Sequence, residues 1–166
     1  MADSAAIVEL AELVARCLAL AEGAGTLIRE VYETNELETR YKDAQRDPVT
    51  VADLRAQRYI QGSLARAYPT LLVIGEEDDA AVASHDDVVL NPNAGEGSQL
   101  LSSLVLPPEL RTLRTADLVL WLDPLDATRS FVRPQLPSVF SSNFSDFRLS
   151  WVYLGRWIAG LPTSPP

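Results

Sequence analysis

The stretch Leu118-Val-Leu-Trp-Leu-Asp-Pro-Leu-Asp126 decides how the rest of the chain is read. Five apolar residues in a row, opened by Asp117 and closed by Asp123 and Pro124, are too short for a helix and fit a strand buried on both faces. A shorter run, Leu71-Leu-Val-Ile74, ends at Gly75 and is followed by Glu76-Glu-Asp-Asp79. Both strands therefore deliver carboxylates at their C-terminal ends. If they are neighbours, the two acidic groups meet at one edge of a sheet. Carboxylates brought that close repel one another unless a cation neutralises them, and hard oxygen donors with no cysteine or histidine nearby favour Mg2+ over zinc.

Working outward, Thr50 offers an N-cap with Asp53 three residues on. Leu54, Gln57, Ile60, Leu64 and Ala67 then trace one helical face until Pro69 ends it. Ala5 to Leu20 is predicted as a helix from the recurrence of Ile7, Leu10, Ala11, Val14, Cys17 and Leu18, with Arg16 on the solvated side. Thr26 to Glu33 continues or restarts it beyond Gly23 and Gly25. Asn35 to Asp47 is expected to be polar and extended or looped. Asp78 to Glu109 is acidic and aperiodic apart from Leu100 to Leu106, which is long for a connection and implies a functional lid or a poorly ordered segment.

Each candidate group has a plain structural reading beside the chemical one. Asp123 and Asp126, three apart across a proline-stiffened turn with the Leu125 carbonyl between them, form either a metal-binding turn or a turn plus N-cap. Ala127-Thr128 makes a helix start whose N–H groups suit a phosphate oxygen. Glu76 to Asp79 is either the partner cluster or a solvated acidic loop, and Asp53 complements its helix dipole in any case. His85 is expected to be solvated. Ser102 and Ser103 lack a histidine and orienting acid nearby, and Lys42 has no phosphate-loop context.

The 166 residues suffice for one globular unit. The net charge of −9 argues against broad adhesion to nucleic acid or anionic lipid and matches small cations. Cys17, the only cysteine, excludes an internal disulfide and a cysteine-based zinc site, and is expected in the core. Ile7 to Leu20 carries Glu9, Glu12 and Arg16, so it reads as neither membrane span nor signal peptide, and a soluble cytoplasmic protein is expected.

Three segments taken together resemble the signature motifs of the lithium-sensitive, magnesium-dependent phosphomonoesterases of the inositol monophosphatase superfamily. They are Asp47-Pro-Val-Thr-Val-Ala-Asp53, Ile74-Gly-Glu-Glu-Asp78 and Trp121-Leu-Asp-Pro-Leu-Asp-Ala-Thr128. The stretch from Ala52 to Asp78, with Ala56-Gln-Arg58, Ser63-Leu-Ala-Arg66 and Tyr68-Pro69, looks most like the 3'(2'),5'-bisphosphate nucleotidase branch. The resemblance implies an α+β chain, the N-terminal part of the layered αβαβα sugar-phosphatase fold. It implies Mg2+ held by Glu76, Asp123, the Leu125 carbonyl and Asp126, with Glu77 holding a metal-bound water. Asp53 and Thr128 match the pair that orients and deprotonates the attacking water, and Ala127 and Thr128 match the phosphate-binding backbone.

The implied reaction is hydrolysis of the 3'-phosphate of adenosine 3',5'-bisphosphate. An inositol-phosphate 1-phosphatase is the enzymatic alternative. The other is a catalytically dead fragment that binds metal or self-associates through an exposed sheet edge. Two departures from the family pattern stand out. Ala127 replaces the family glycine, where a methyl group would crowd the phosphate. The composition also changes near residue 131. Residues 1–130 hold 22 acids against 11 bases, whereas 131–166 hold one acid, Asp146, against Arg133, Arg148 and Arg156, together with all four phenylalanines. Residues 1–130 are therefore expected to form the phosphatase region, and 131–166 a divergent tail from truncation or an altered reading frame. Gly155-Arg-Trp-Ile-Ala-Gly160 is faintly similar to the family's strand hairpin.

Overall fold

The computed structural model describes residues 6–34, 39–41, 48–84, 86–98, 105–124 and 151–156. Strand β1 (Ile7–Glu9) leads into helix α1 (Leu10–Thr34). Short strands β2 (Thr39–Tyr41) and β3 (Pro48–Thr50) precede helix α2 (Val51–Ala67), and strand β4 (Leu72–Gly75) follows it. Helices α3 (Asp79–Ala83) and α4 (Pro108–Arg111), strand β5 (Thr112–Arg114), a 3-10 turn at Thr115–Asp117, and strands β6 (Leu118–Asp123) and β7 (Trp151–Arg156) complete the order. The chain is α+β, as expected.

The two apolar runs do form neighbouring strands. β4 and β6 pair in parallel, Leu72 opposite Val119 through Gly75 opposite Leu122, and β7 adds antiparallel to the far side of β6. Strand β7 includes the beginning of the glycine-bearing segment at 155–160. Leu118, Leu120 and Leu122 pack with the helices in one core, alongside Leu13, Cys17, Leu20, Ala24, Ile28 and Val31 of α1 and Ala52, Ala56, Ile60 and Leu64 of α2. Val119 is buried on the opposite side of the strand, which accounts for the unbroken apolar sequence.

Helix α2 matches its predicted start and stop. Thr50 caps it in a reciprocal box with Asp53, and Tyr68 ends it by donating its N–H to the Leu64 carbonyl ahead of Pro69. Helix α1 differs from expectation in its start and in its buried face. Its first residues, 7–9, are a strand paired antiparallel to β5, and Thr115 donates both its N–H and its hydroxyl to the Ala6 carbonyl. The helix runs unbroken through Gly23 and Gly25, because α2 lies against it there: a Cβ on Gly23 would meet the Tyr59 hydroxyl at 2.6 Å.

The buried stripe is also rotated from the predicted one. Ile7 and Leu18 are exposed, whereas Arg16 is buried, its Nε donating to the Tyr68 hydroxyl at 3.2 Å and its guanidinium stacked 5.3 Å from that ring's centre. Glu96, 3.6 Å from Arg16 Nη2, holds the 91–98 loop against the same side chain. The aperiodic acidic stretch thus has ordered parts: α3, the turn-rich 86–98 segment and α4. His85, Lys42, Ser102 and Ser103 lie outside the described residues.

Candidate metal and phosphate site

Parallel pairing settles how the two acidic groups stand relative to each other. The Glu76 N–H donates to the Leu122 carbonyl at 3.0 Å, carrying the β4–β6 ladder one step past the end of β4. Glu76 is therefore beside Asp123 on adjoining strands, about 4.8 Å apart in the backbone. Leu122 packs toward the helices and Gly75 faces Gln57 of α2. Strand alternation consequently turns Asp123 and Glu76 together to the other face. Two acidic residues thus occupy adjoining backbone positions at the C-terminal edge of a parallel pair.

The four acids after β4 divide by role. Glu76 is exposed and Glu77 buried. Asp78 is the N-cap of α3, its Oδ1 accepting from the N–H groups of Ala80 and Ala81 at 3.0 and 3.1 Å. Asp79 accepts from Gln61 Nε2 at 3.2 Å. Asp78 and Asp79 thus serve as a cap of α3 and a partner of α2, while Glu76 is exposed and Glu77 buried at the end of β4.

Asp53 sits 1% exposed in the first turn of α2. Its Oδ2 accepts from the Thr50 N–H at 2.8 Å and from the Thr50 hydroxyl at 2.5 Å, so the carboxylate is held in one orientation by the cap. One turn along the same face, Gln57 is fully buried. Its Oε1 accepts from the Glu77 N–H at 2.9 Å and its Nε2 donates to the Glu77 carbonyl at 3.0 Å. Both backbone polar groups of one loop residue, which belong to the two peptide units on either side of its Cα, are thereby satisfied by one side chain. Gly75 makes room for it, since a Cβ there would overlap the Gln57 carboxamide. The sequence had placed Gln57 on the buried face without a role; the available signal was an amide at a core position one turn after Asp53.

Leu125, Asp126, Ala127 and Thr128 lie outside the described residues. Among the described residues no group of three or more His, Cys, Asp and Glu side chains forms a metal cage. Glu76 and Asp123 supply two hard carboxylate donors on one face, which in chemistry and placement fit one side of a Mg2+ site. Among the described residues no helix is long and apolar enough to cross a membrane.

The same residues carry a family signature. The model of the inositol monophosphatase family matches residues 9–139. The chain is 32% identical over 156 residues to 3'(2'),5'-bisphosphate nucleotidase 1 of Mus musculus, covering 94% of this chain and 47% of the relative. It is 30% identical over 154 residues to the protein of that name from Dictyostelium discoideum, covering 93% of this chain and 46% of the relative. It is 28% identical over 135 residues to the Golgi-resident adenosine 3',5'-bisphosphate 3'-phosphatase of Mus musculus, covering 79% and 36%. The chain spans about half the length of the nucleotidases it matches. With a match that takes in α1, α2 and both strands bearing the acids, the chain belongs to the inositol monophosphatase family.

Proposed function

We propose that this chain carries the metal-binding part of a Mg2+-dependent phosphomonoesterase that converts adenosine 3',5'-bisphosphate to AMP and inorganic phosphate. The observation that carries the reading is the adjacency of Glu76 and Asp123 across the parallel β4–β6 pair, in a chain similar to bisphosphate nucleotidases. Glu76, Asp123, the Leu125 carbonyl and Asp126 are assigned as the metal-holding set, with Glu77 holding a water at its border. Bound Mg2+ supplies charge neutralisation for the phosphoryl oxygens and activation of the attacking water.

Asp53, fixed by Thr50, accepts the proton from that water while Thr128 orients it. The N–H groups of Ala127 and Thr128 bind phosphate oxygens. Attack forms a new P–O bond in line with the departing 3'-oxygen, which leaves as the P–O3' bond breaks and takes up a proton. No bond between phosphorus and the protein is needed. A cytoplasmic setting and lithium sensitivity belong to the same proposal.

The deciding assay is phosphate release by the purified chain from adenosine 3',5'-bisphosphate, with and without Mg2+, and in lithium. Release only with Mg2+, suppressed by lithium, is expected. Two observations favour rival readings. Similarity to a putative inositol monophosphatase 3 of Drosophila melanogaster, 27% identical over 128 residues, favours an inositol phosphate substrate, and parallel assays on inositol phosphates separate the two. Coverage of only about half of the nucleotidases, with residues 131–166 assigned as a divergent tail and Leu72 46% exposed on an edge strand, favours a binding fragment that self-associates. Mg2+ binding by calorimetry without turnover, in a chain that sediments as a dimer, is the result expected of the fragment.

A further inference from the structure

We propose that Gln57 is a positioning residue that sets the cation affinity of the strand-end acids by clamping the backbone of Glu77 on both sides of its Cα; the inference rests on the metal-dependent reading above. A loop leaving a strand can rotate about each of its peptides. Gln57 removes that freedom at one place. Its carboxamide meets the Glu77 N–H at 2.9 Å and the Glu77 carbonyl at 3.0 Å, so the two peptide units on either side of the Glu77 Cα are both held relative to α2. Glu77 is the clamped residue and Glu76 precedes it, its own N–H donating to the Leu122 carbonyl of β6.

Helix α2 also carries Asp53 one turn away, so a single rigid element registers the water-activating carboxylate and the metal-holding loop against each other. The absence of a side chain at Gly75 is the matching feature on the strand, because a methyl group there would displace the clamp. A carboxamide is the group this place requires. A carboxylate could accept from the Glu77 N–H but would set oxygen against oxygen at the Glu77 carbonyl.

The test is calorimetric titration of the full chain with Mg2+ alone, for the wild type and for Gln57→Ala, Gln57→Glu and Ser63→Ala. Ser63 is the control: it is also buried on α2 and also accepts a loop N–H, that of Asn91 at 2.9 Å, remote from the acids. Gln57→Ala and Gln57→Glu are expected to weaken Mg2+ binding at least tenfold, and Ser63→Ala less than twofold. Gln57→Glu separates positioning from charge, since an added carboxylate acting only through its charge would tighten cation binding. Wild-type affinity in Gln57→Ala, tighter binding in Gln57→Glu, or an equal loss in Ser63→Ala overturns the inference and leaves the phosphatase reading standing. A wild-type chain that binds no Mg2+ overturns that reading and this inference with it. If Gln57→Ala does not fold, hydrogen exchange of the Glu77 amide in the wild type decides: slow exchange supports the clamp and free exchange refutes it.

Discussion

Replacing Thr50 by Val tests whether the start of α2 is what holds Asp53. Valine is close to threonine in shape at a position 1% exposed and puts a methyl group in place of the hydroxyl, so the donor is lost and no cavity opens. The hydroxyl donates to Asp53 Oδ2 at 2.5 Å, whereas its contact with the Asp53 N–H at 3.5 Å is long. Loss of a hydrogen bond to a charged group costs about 1.5–3 kcal/mol, and loss of a helix cap typically about 1 kcal/mol. These figures overlap, because the same hydroxyl makes both contacts, and the Thr50 N–H keeps its bond to Asp53 Oδ2 at 2.8 Å. A loss of about 2 kcal/mol is therefore expected, or about 4–8 °C in Tm for a chain of this size. Urea and thermal unfolding of Thr50→Val beside Thr50→Ser measure it, the serine retaining the hydroxyl and most of the stability. A Thr50→Val chain as stable as wild type, or a Thr50→Ser chain as weak as Thr50→Val, would refute the reasoning.

Three further outcomes are expected. Asp123→Asn should abolish Mg2+-dependent phosphate release while leaving the far-UV spectrum and Tm near wild type, and undiminished release would remove Asp123 from the site. Ala127→Gly should raise the rate of phosphate release if the methyl group crowds the phosphate; an unchanged rate counts against that placement. Burial pushes the Cys17 thiol up to about 12 from its ordinary 9.0, against a weaker opposing pull from Arg16. The unfolded chain thus loses this proton first, so the stability contributed is complete below pH 9 and is lost as pH rises toward 12, by about 1.4 kcal/mol per pH unit within that window. Urea melts at pH 8 and pH 10.5 should show this slope in the wild type and a shallower one in Cys17→Ala.

What could be read from the sequence follows the range of the interactions involved. Helix α2 announced itself because its cap, its apolar stripe and its stop at Pro69 all lie within one segment. The two strands were visible because burial on both faces leaves no polar residue to break Leu118 to Leu122. Their parallel adjacency could only be posed as a condition, since it depends on a crossover between distant residues. The phase of α1 was not recoverable from α1 alone. Arg16 counts as polar in any periodicity, yet it is buried because Tyr68 and Glu96, far along the chain, supply partners for it. Whether the helix continued or restarted beyond Gly23 stayed open for the same reason, the small size of this residue serving the approach of Tyr59 from another helix. Of the candidate site, the acids Glu76, Glu77 and Asp123 stood out from local pattern as strand-end clusters and the site role of Asp53 came only from the family resemblance, whereas the bond from Gln57 to the Glu77 backbone needed three dimensions.

The pairing of β1 with β5 bears on the order in which the molecule is made. Strand 7–9 finds its partner roughly a hundred residues later, and at about 5–20 residues per second a ribosome needs on the order of 5–20 s to cover that distance. The two long helices are complete well before then and can dock while the leading segment still hangs unzipped, with Val8 uncovered. A nascent chain in that interval presents a bare edge to whatever crowds the tunnel exit, and trigger-type holdases that shield such edges should have their largest effect on this protein before residue 114 emerges.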